Sequence, residues 1–154
     1  MDKAVEQEKI NKILEAVQSA PSAVNYQPHK IFVIKSKEIL NKLPECTRFL
    51  FNAPLNFLVC YDNTVSWKRK KDNKDSGDID AAIIGTYIML AAKEQGLDTT
   101  WVGSFDPIKV SEILHLPSNI VPVAFFPTGY AAENAEPAKM HYERKPIEET
   151  VVFV

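Results

Sequence analysis

Apolar positions along the chain mark out alternating helix-like and strand-like segments. Between Glu6 and Ser19, Ile10, Ile13, Leu14 and Val17 recur at helical spacing, with Glu and Lys on the opposite face. An amphipathic helix is predicted there, ending before Ala20-Pro21-Ser22 because Pro21 disfavours helical geometry at the residue preceding it. A polar connector follows, up to Pro28. Ile31 to Ile34 predicts a short buried strand, and a helix from about Lys37 to Leu43 has Ser36 as its N-cap and Pro44 as its end. Leu55 to Tyr61 is apolar except for Asn56, which predicts a strand inside a sheet.

The next segment, Trp67 to Gly77, is charged and aperiodic, so it reads as a mobile, solvated surface loop, with a lid or anion-steering patch as the less favoured reading. From Asp78 to Gln95 the pattern predicts the longest helix, started by Asp78 and capped by Gly96. That helix is apolar nearly all round, and a chain of 154 residues can hardly cover it alone. A dimer interface follows as the economical explanation, with a central core helix as the other. Thr99 to Val102 resembles a strand, Asp106-Pro107 starts a helix running to about Leu116, and Ile120 to Phe126 is a further buried strand. The polar stretch Ala131 to Lys145 is irregular, and Thr150 to Val154 reads as a last short strand. Such alternation means α/β or α+β, without ordering the sheet.

Length and composition narrow the class. The 154 residues fit one domain, 1–154, and the 45% apolar and 25% charged content is that of an ordinary globular protein. Eighteen Lys and Arg against twenty Asp and Glu leave a net charge of -2, so no global positive field favours nucleic acid or an anionic membrane. The longest apolar runs fall well short of the roughly 20 residues of a bilayer span. Cys46 and Cys60 lack CxxC spacing and no apolar signal segment follows Met1, which points to a reducing, cytoplasmic setting. Cys60 lies within an apolar run and reads as a small buried hydrophobe.

Conventional catalytic sets are missing. His29, His115 and His141 are scattered without metal-ligand spacing, and neither a GxSxG elbow, a GxxxxGK[ST] loop nor a GxGxxG fingerprint occurs. His115, at a helix end, reads as a partner of the helix dipole. The connector Ala20 to His29 is more informative, because it concentrates small residues, amides and two prolines. Amide side chains both donate and accept, which suits the edge of a heterocycle such as flavin. An ordered turn whose Ser and Asn satisfy local backbone is an equal reading of the same residues.

The connector's Ala20-Pro21-Ser22-Ala23 with Asn25 and Gln27-Pro28 resembles the nitroreductase motif APSAxNxQPW, placed after an amphipathic helix and before a strand. Asp80 through Leu97 and on to Trp101-Val102-Gly103-Ser104-Phe105-Asp106-Pro107 is similar to that family's long helix, GL turn and WxGxFDP segment. Arg144-Lys145-Pro146-Ile147-Glu148-Glu149 is similar to its Arg-x-Pro-Leu-Glu-Glu ending. The three matches occur in register over nearly the whole chain.

This resemblance implies an α+β fold, a mixed β-sheet sandwiched by helices, dimeric through the long helix, with FMN at each end of the interface. It implies an oxidoreductase in which NAD(P)H passes a hydride to FMN and reduced FMN reduces a nitroaromatic, quinone or similar acceptor. The implied flavin contacts are Pro21, Ser22, Ala23, Asn25 and Gln27 from one subunit and Trp101, Val102, Gly103 and Ser104 from the other. No side chain is implied as nucleophile or general base, since the cofactor carries the chemistry. The family's tryptophan after Gln-Pro is His29 here, and its Arg-rich phosphate-binding helix has no match, which leaves Arg144 as the matched phosphate ligand and Lys145 as a helper. A shortened member that has lost flavin and serves as a ligand-binding or interaction module is the rival expectation.

Overall fold

In a computed structural model, residues 3–154 are described. Helix α1 (Gln7–Gln18) buries Ile10, Ile13 and Val17, the stripe expected from its spacing. Strand β1 (His29–Ile34) is followed by α2 (Lys37–Lys42), which a 3-10 turn over Leu43–Glu45 extends past Pro44. Strand β2 (Leu55–Asp62), helix α3 (Gly77–Glu94), the two-residue β3 (Asp98–Thr99), α4 (Pro107–Leu114) and β4 (Ile120–Gly129) complete the framework.

The sheet order is β1-β2-β4-β3, and each of these pairings is antiparallel. The α+β class is as expected; the resemblance implied a mixed sheet, and the described pairings contain no parallel one. Period-two alternation then divides the core. Phe57, Val59, Ala124 and Phe126 face α1 and α3, packing with Ile10, Ile13, Ile84 and Ile88. Leu58, Cys60 and Phe125 face the other way, toward Leu43, Cys46 and Val110. Each fully buried side chain of this size contributes roughly 1.5–3 kcal/mol. The result is a helix–sheet–helix sandwich with β2 in its interior.

Several expectations need correction. Only Asp98 and Thr99 form β3; beyond them the chain leaves the sheet and rejoins it at one bridge, Val102 with Phe125. Trp67 to Gly77 is the surface loop expected, with a hairpin-like closure at its base that the sequence did not predict. A bridge of Lys68 with Asp75, their ion pair at 3.3 Å and a second pair between Arg69 and Asp72 close it. Ser36 occupies its cap position without a side-chain bond, and at the start of α3 it is Asp75, not Asp78, that accepts the Gly77 N–H at 2.8 Å. Thr150 to Val154 is not a strand: no described strand accepts it, and residues 131–154 are all exposed. Gly96, at φ 69°, does end α3 in the left-handed region that favours glycine.

Candidate functional site

Residues Pro21 to Pro28 fold tightly on themselves. Ala23–Asn25 forms a 3-10 turn, the Gln27 N–H donates to Ser22 Oγ at 3.0 Å, and Gln27 Nε2 donates to Asn25 Oδ1 at 3.1 Å. Val24, Asn25 and Gln27 hold φ values of 53°, 55° and 50°. For a β-branched residue such as Val24 this is uncommon, and each such conformation costs on the order of 1–3 kcal/mol. A buried carboxylate helps to hold the loop: Asp80 of α3, 1% exposed, accepts the Ala23 N–H at 2.8 Å and the Ser76 hydroxyl at 3.2 Å. The side chains of Asn25 and Gln27 remain exposed.

The second segment is anchored by tertiary contacts. The Trp101 ring meets Phe126 edge-on with centroids 5.0 Å apart. This packing needs Gly85, where a Cβ would lie 2.3 Å from Phe126 Cζ and 2.7 Å from the Trp101 ring. Val102 exchanges both backbone bonds with Phe125, at 2.9 and 3.0 Å. Thr47 Oγ1 donates to the Ser104 carbonyl at 2.7 Å, and the Asp106 N–H donates to the Cys46 carbonyl at 2.9 Å. Asp106 also caps α4 by accepting the N–H groups of Ile108 and Lys109 at 2.9 and 3.1 Å. Gly103 and Ser104 therefore lie exposed between fixed neighbours, and their N–H groups have no acceptor among the described residues. A Cβ at Gly103 would meet only the Trp101 ring, at 3.4 Å, so open space lies over this backbone.

Both segments rest on α3, one at Asp80 and the other at Gly85. Five positions along a helix turn through about 140° beyond a full revolution. Within one chain they consequently leave α3 in different directions. Arg144 and Lys145 stand on the exposed tail, where Arg144 donates to its neighbour's carbonyl, Glu143, at 2.7 Å. The tail's fold within one chain joins neither residue to the other two segments by any described hydrogen bond or ion pair.

Two titratable groups are displaced by their surroundings. Burial pushes the His29 imidazole below its usual value, Asp80 opposing and Lys30 adding, and its Nδ1 is buried without a partner. Burial alone pushes the Cys60 thiol up to about 12, as befits a packing residue. Among the described residues no cluster of His, Cys, Asp or Glu could hold a metal ion.

The model of the nitroreductase family matches residues 1–47 and 41–130. The chain belongs to that family. A relative in Archaeoglobus fulgidus, provisionally named NADH dehydrogenase/NAD(P)H nitroreductase, is 31% identical over 93% of this chain and 89% of its own length. A crystal structure of a nitroreductase family protein from Clostridium difficile 630 superposes with a TM-score of 0.92 at 37% identity, covering 99% of this chain and 89% of that one. An FMN-dependent nitroreductase from Clostridium difficile R20291 matches at TM-score 0.76 and 27% identity, over 94% and 90% of the two chains.

In this nitroreductase-family chain, sequence reasoning did not single out Asp80 as the loop's anchor, nor Thr47 and Asn56. Asp80 had a visible signal, a carboxylate amid an apolar helix, and Asn56 another, the one polar residue of an apolar strand. Thr47 had none, because its partner Ser104 is 57 residues away.

Proposed function

We propose that this chain is an NAD(P)H-dependent flavin oxidoreductase that holds FMN between two copies of itself. The observation that carries this reading is the exposed backbone at Gly103 and Ser104, held rigid and unpaired beneath open space. Two unpaired N–H groups beside a residue without a side chain suit close approach of a planar ring. Asn25 and Gln27, exposed on a loop tied down by Asp80, offer amide donors and acceptors for the polar edge of that ring. The residues present thus fit a flavin, with Pro21, Ser22 and Ala23 forming the loop and Trp101 and Val102 fixing the facing segment. Bound FMN would supply the redox chemistry, taking a hydride from NAD(P)H and reducing a nitroaromatic, quinone or similar acceptor. The protein's part is to bind, orient and exclude water.

Two observations support the homodimer. Ile79, Ala82, Ile83, Thr86 and Leu90 form a stripe on α3 that its own chain leaves partly or wholly uncovered, with Ile79 50% and Leu90 67% exposed. The divergent directions of the two site segments also favour a site completed by a second subunit. Arg144 would then reach a phosphate on the partner's side, with Lys145 beside it. A cytoplasmic setting accords with Cys46 and Cys60, both buried and free.

The test is a titration with FMN, read by quenching of flavin fluorescence, alongside light scattering at micromolar concentration. Saturable binding near one FMN per chain and a dimer mass are expected. Failure to bind added FMN would overturn the flavin reading in favour of a flavin-free binding module, and a monomer mass would overturn the dimer.

A further inference from the structure

The excursion between β2 and α3 carries charge that the rest of the fold does not use. From Lys68 to Asp75 five cations stand against two carboxylates, in a chain whose net charge is -2. Both carboxylates are taken: Asp75 pairs with Lys68 at 3.3 Å, and Asp72 with Arg69. Lys70, Lys71 and Lys74 are exposed, and among the described residues their side chains have neither an ion pair nor a hydrogen bond. Asp78, exposed in the first turn of α3, offsets at most one of the three. Their backbone is fixed all the same, since the Arg69 N–H donates to the Lys74 carbonyl at 2.9 Å and the Asn73 N–H to the Arg69 carbonyl at 2.8 Å. The positive charge is thus local and held in place.

This charge sits beside the proposed site. The base of the hairpin closes where the Ser76 N–H donates to the Trp67 carbonyl at 2.9 Å, and the Ser76 hydroxyl donates to Asp80 at 3.2 Å. The other oxygen of the same carboxylate accepts the Ala23 N–H of the amide loop at 2.8 Å. One buried side chain therefore joins the two segments. Chain length bounds the rest: at up to about 3.6 Å per residue, the Lys74 backbone lies within roughly 7 Å of Ser76 and that of Lys71 within roughly 18 Å. The screening length is about 10 Å at 0.1 M salt and about 30 Å at 0.01 M, so in dilute buffer all three ammonium groups act at the loop.

We propose that this hairpin draws negatively charged electron acceptors, aromatic nitro compounds that carry a carboxylate or similar anionic group, to the site beside it. The assignment rests on the flavin oxidoreductase reading and names a substrate class for that site. The hydride of NAD(P)H and one proton from solvent convert the nitro group to nitroso plus one water, leaving the oxidised nicotinamide. The acceptor's anionic group takes no part in that balance, so it contributes to encounter and binding alone. Fixed positive charge beside an entrance raises the encounter rate of anions by about tenfold or more, and salt removes the gain. NAD(P)H is itself anionic and gains from the same field. In a ping-pong reaction, however, kcat/KM for the acceptor reports the second half-reaction alone, which isolates the acceptor's charge.

The test compares para-nitrobenzoate with para-nitrobenzamide, near-isosteres that differ in charge, on the FMN-loaded wild type and on the triple variant Lys70→Gln/Lys71→Gln/Lys74→Gln. The three side chains are exposed, and a melting curve and flavin content equal to the wild type's verify fold and loading. In about 0.01 M salt, kcat/KM for nitrobenzoate should fall about tenfold in the variant while that for nitrobenzamide holds. The wild-type value for nitrobenzoate should fall likewise as salt rises to about 1 M, where the screening length is only about 3 Å. Dissociation constants of benzoate and benzamide, read from perturbation of the flavin absorption, give the same comparison without turnover. Lys71→Glu alone should weaken nitrobenzoate in the same direction. Nitrobenzoate values that the variants leave unchanged, or equal losses for the two acceptors, overturn the steering and leave the flavin reading intact. Failure to bind FMN sinks the flavin reading, and the proposal with it.

Discussion

The sandwich up to Tyr130 and the tail beyond it treat apolar side chains in opposite ways. In the sandwich Phe57, Phe125 and Phe126 are fully buried, whereas in the tail Met140, Tyr142, Val152 and Phe153 are 72% to 96% exposed. The same residue type, phenylalanine, thus stands at 0% at Phe57 in β2 and at 96% at Phe153 in the tail. Burial in one chain accounts for the first region and leaves the second unexplained. The family model likewise ends at residue 130. A body with a largely closed core, an uncovered stripe on α3 and a wholly exposed tail is what a chain that meets a second copy would present, which is the reading proposed above.

The largest expected effect separates the two phenylalanines. Phe57→Ala should cost about 3–5 kcal/mol through lost transfer energy and the cavity left behind, read as a lowered urea midpoint. Phe153→Ala should change the stability of the isolated chain by less than about 0.5 kcal/mol, and show itself instead as weaker dimerisation in dilution experiments. Equal effects on the urea midpoint would mean that the tail packs as part of the same core.

Gly85→Ala comes next. The added methyl collides with Phe126 and Trp101, and overpacking of this kind costs about 1–3 kcal/mol. Because Trp101 must move, its fluorescence should shift as well, and an unshifted spectrum would show that the helix yields in place of the ring.

Asp80→Ala leaves the Ala23 N–H and the Ser76 hydroxyl without their acceptor, at a cost of about 1–2 kcal/mol for part-buried groups. Faster hydrogen exchange at Ala23 should accompany weaker FMN binding, and Asp80→Asn, which keeps a carbonyl acceptor, should restore much of both. Unaltered exchange at Ala23 would show that the loop is held by its own bonds.

The smallest effect is one of pH. The folded His29 binds a proton less readily than the unfolded chain does, so its contribution to stability is present above about pH 6.5 and falls as pH drops toward its depressed folded value. Wild-type stability should therefore decline more steeply between pH 7 and pH 5 than that of His29→Phe. Parallel declines would place the imidazole in water.

Much of this was legible from spacing. The α1 stripe, the interior place of β2, the Asp106-Pro107 start of α4 and the Gly96 end of α3 follow from rules that act over a few residues: periodicity, side-chain capping and backbone sterics. The two segments proposed for the site were singled out from the sequence as well, through their likeness to a family motif. What misled was also local. The β-branched run at the chain's end reads as a strand, yet a strand needs a neighbour to pair with, and no described strand lies beside it.

By itself, then, the sequence determined which stretches could be helix or strand, which faces must be covered, and which loop carries amides fit for a heterocycle. Only the tertiary structure decided that the sheet is antiparallel in the order β1-β2-β4-β3, that Asp80 anchors the Ala23 turn, that Thr47 reaches Ser104, and that Asn56 is left unpaired. Each of these depends on residues far apart in the chain being brought together, whether to pair or to be left without a partner. Such meetings are set by how the layers pack, and no rule of neighbouring residues contains that information.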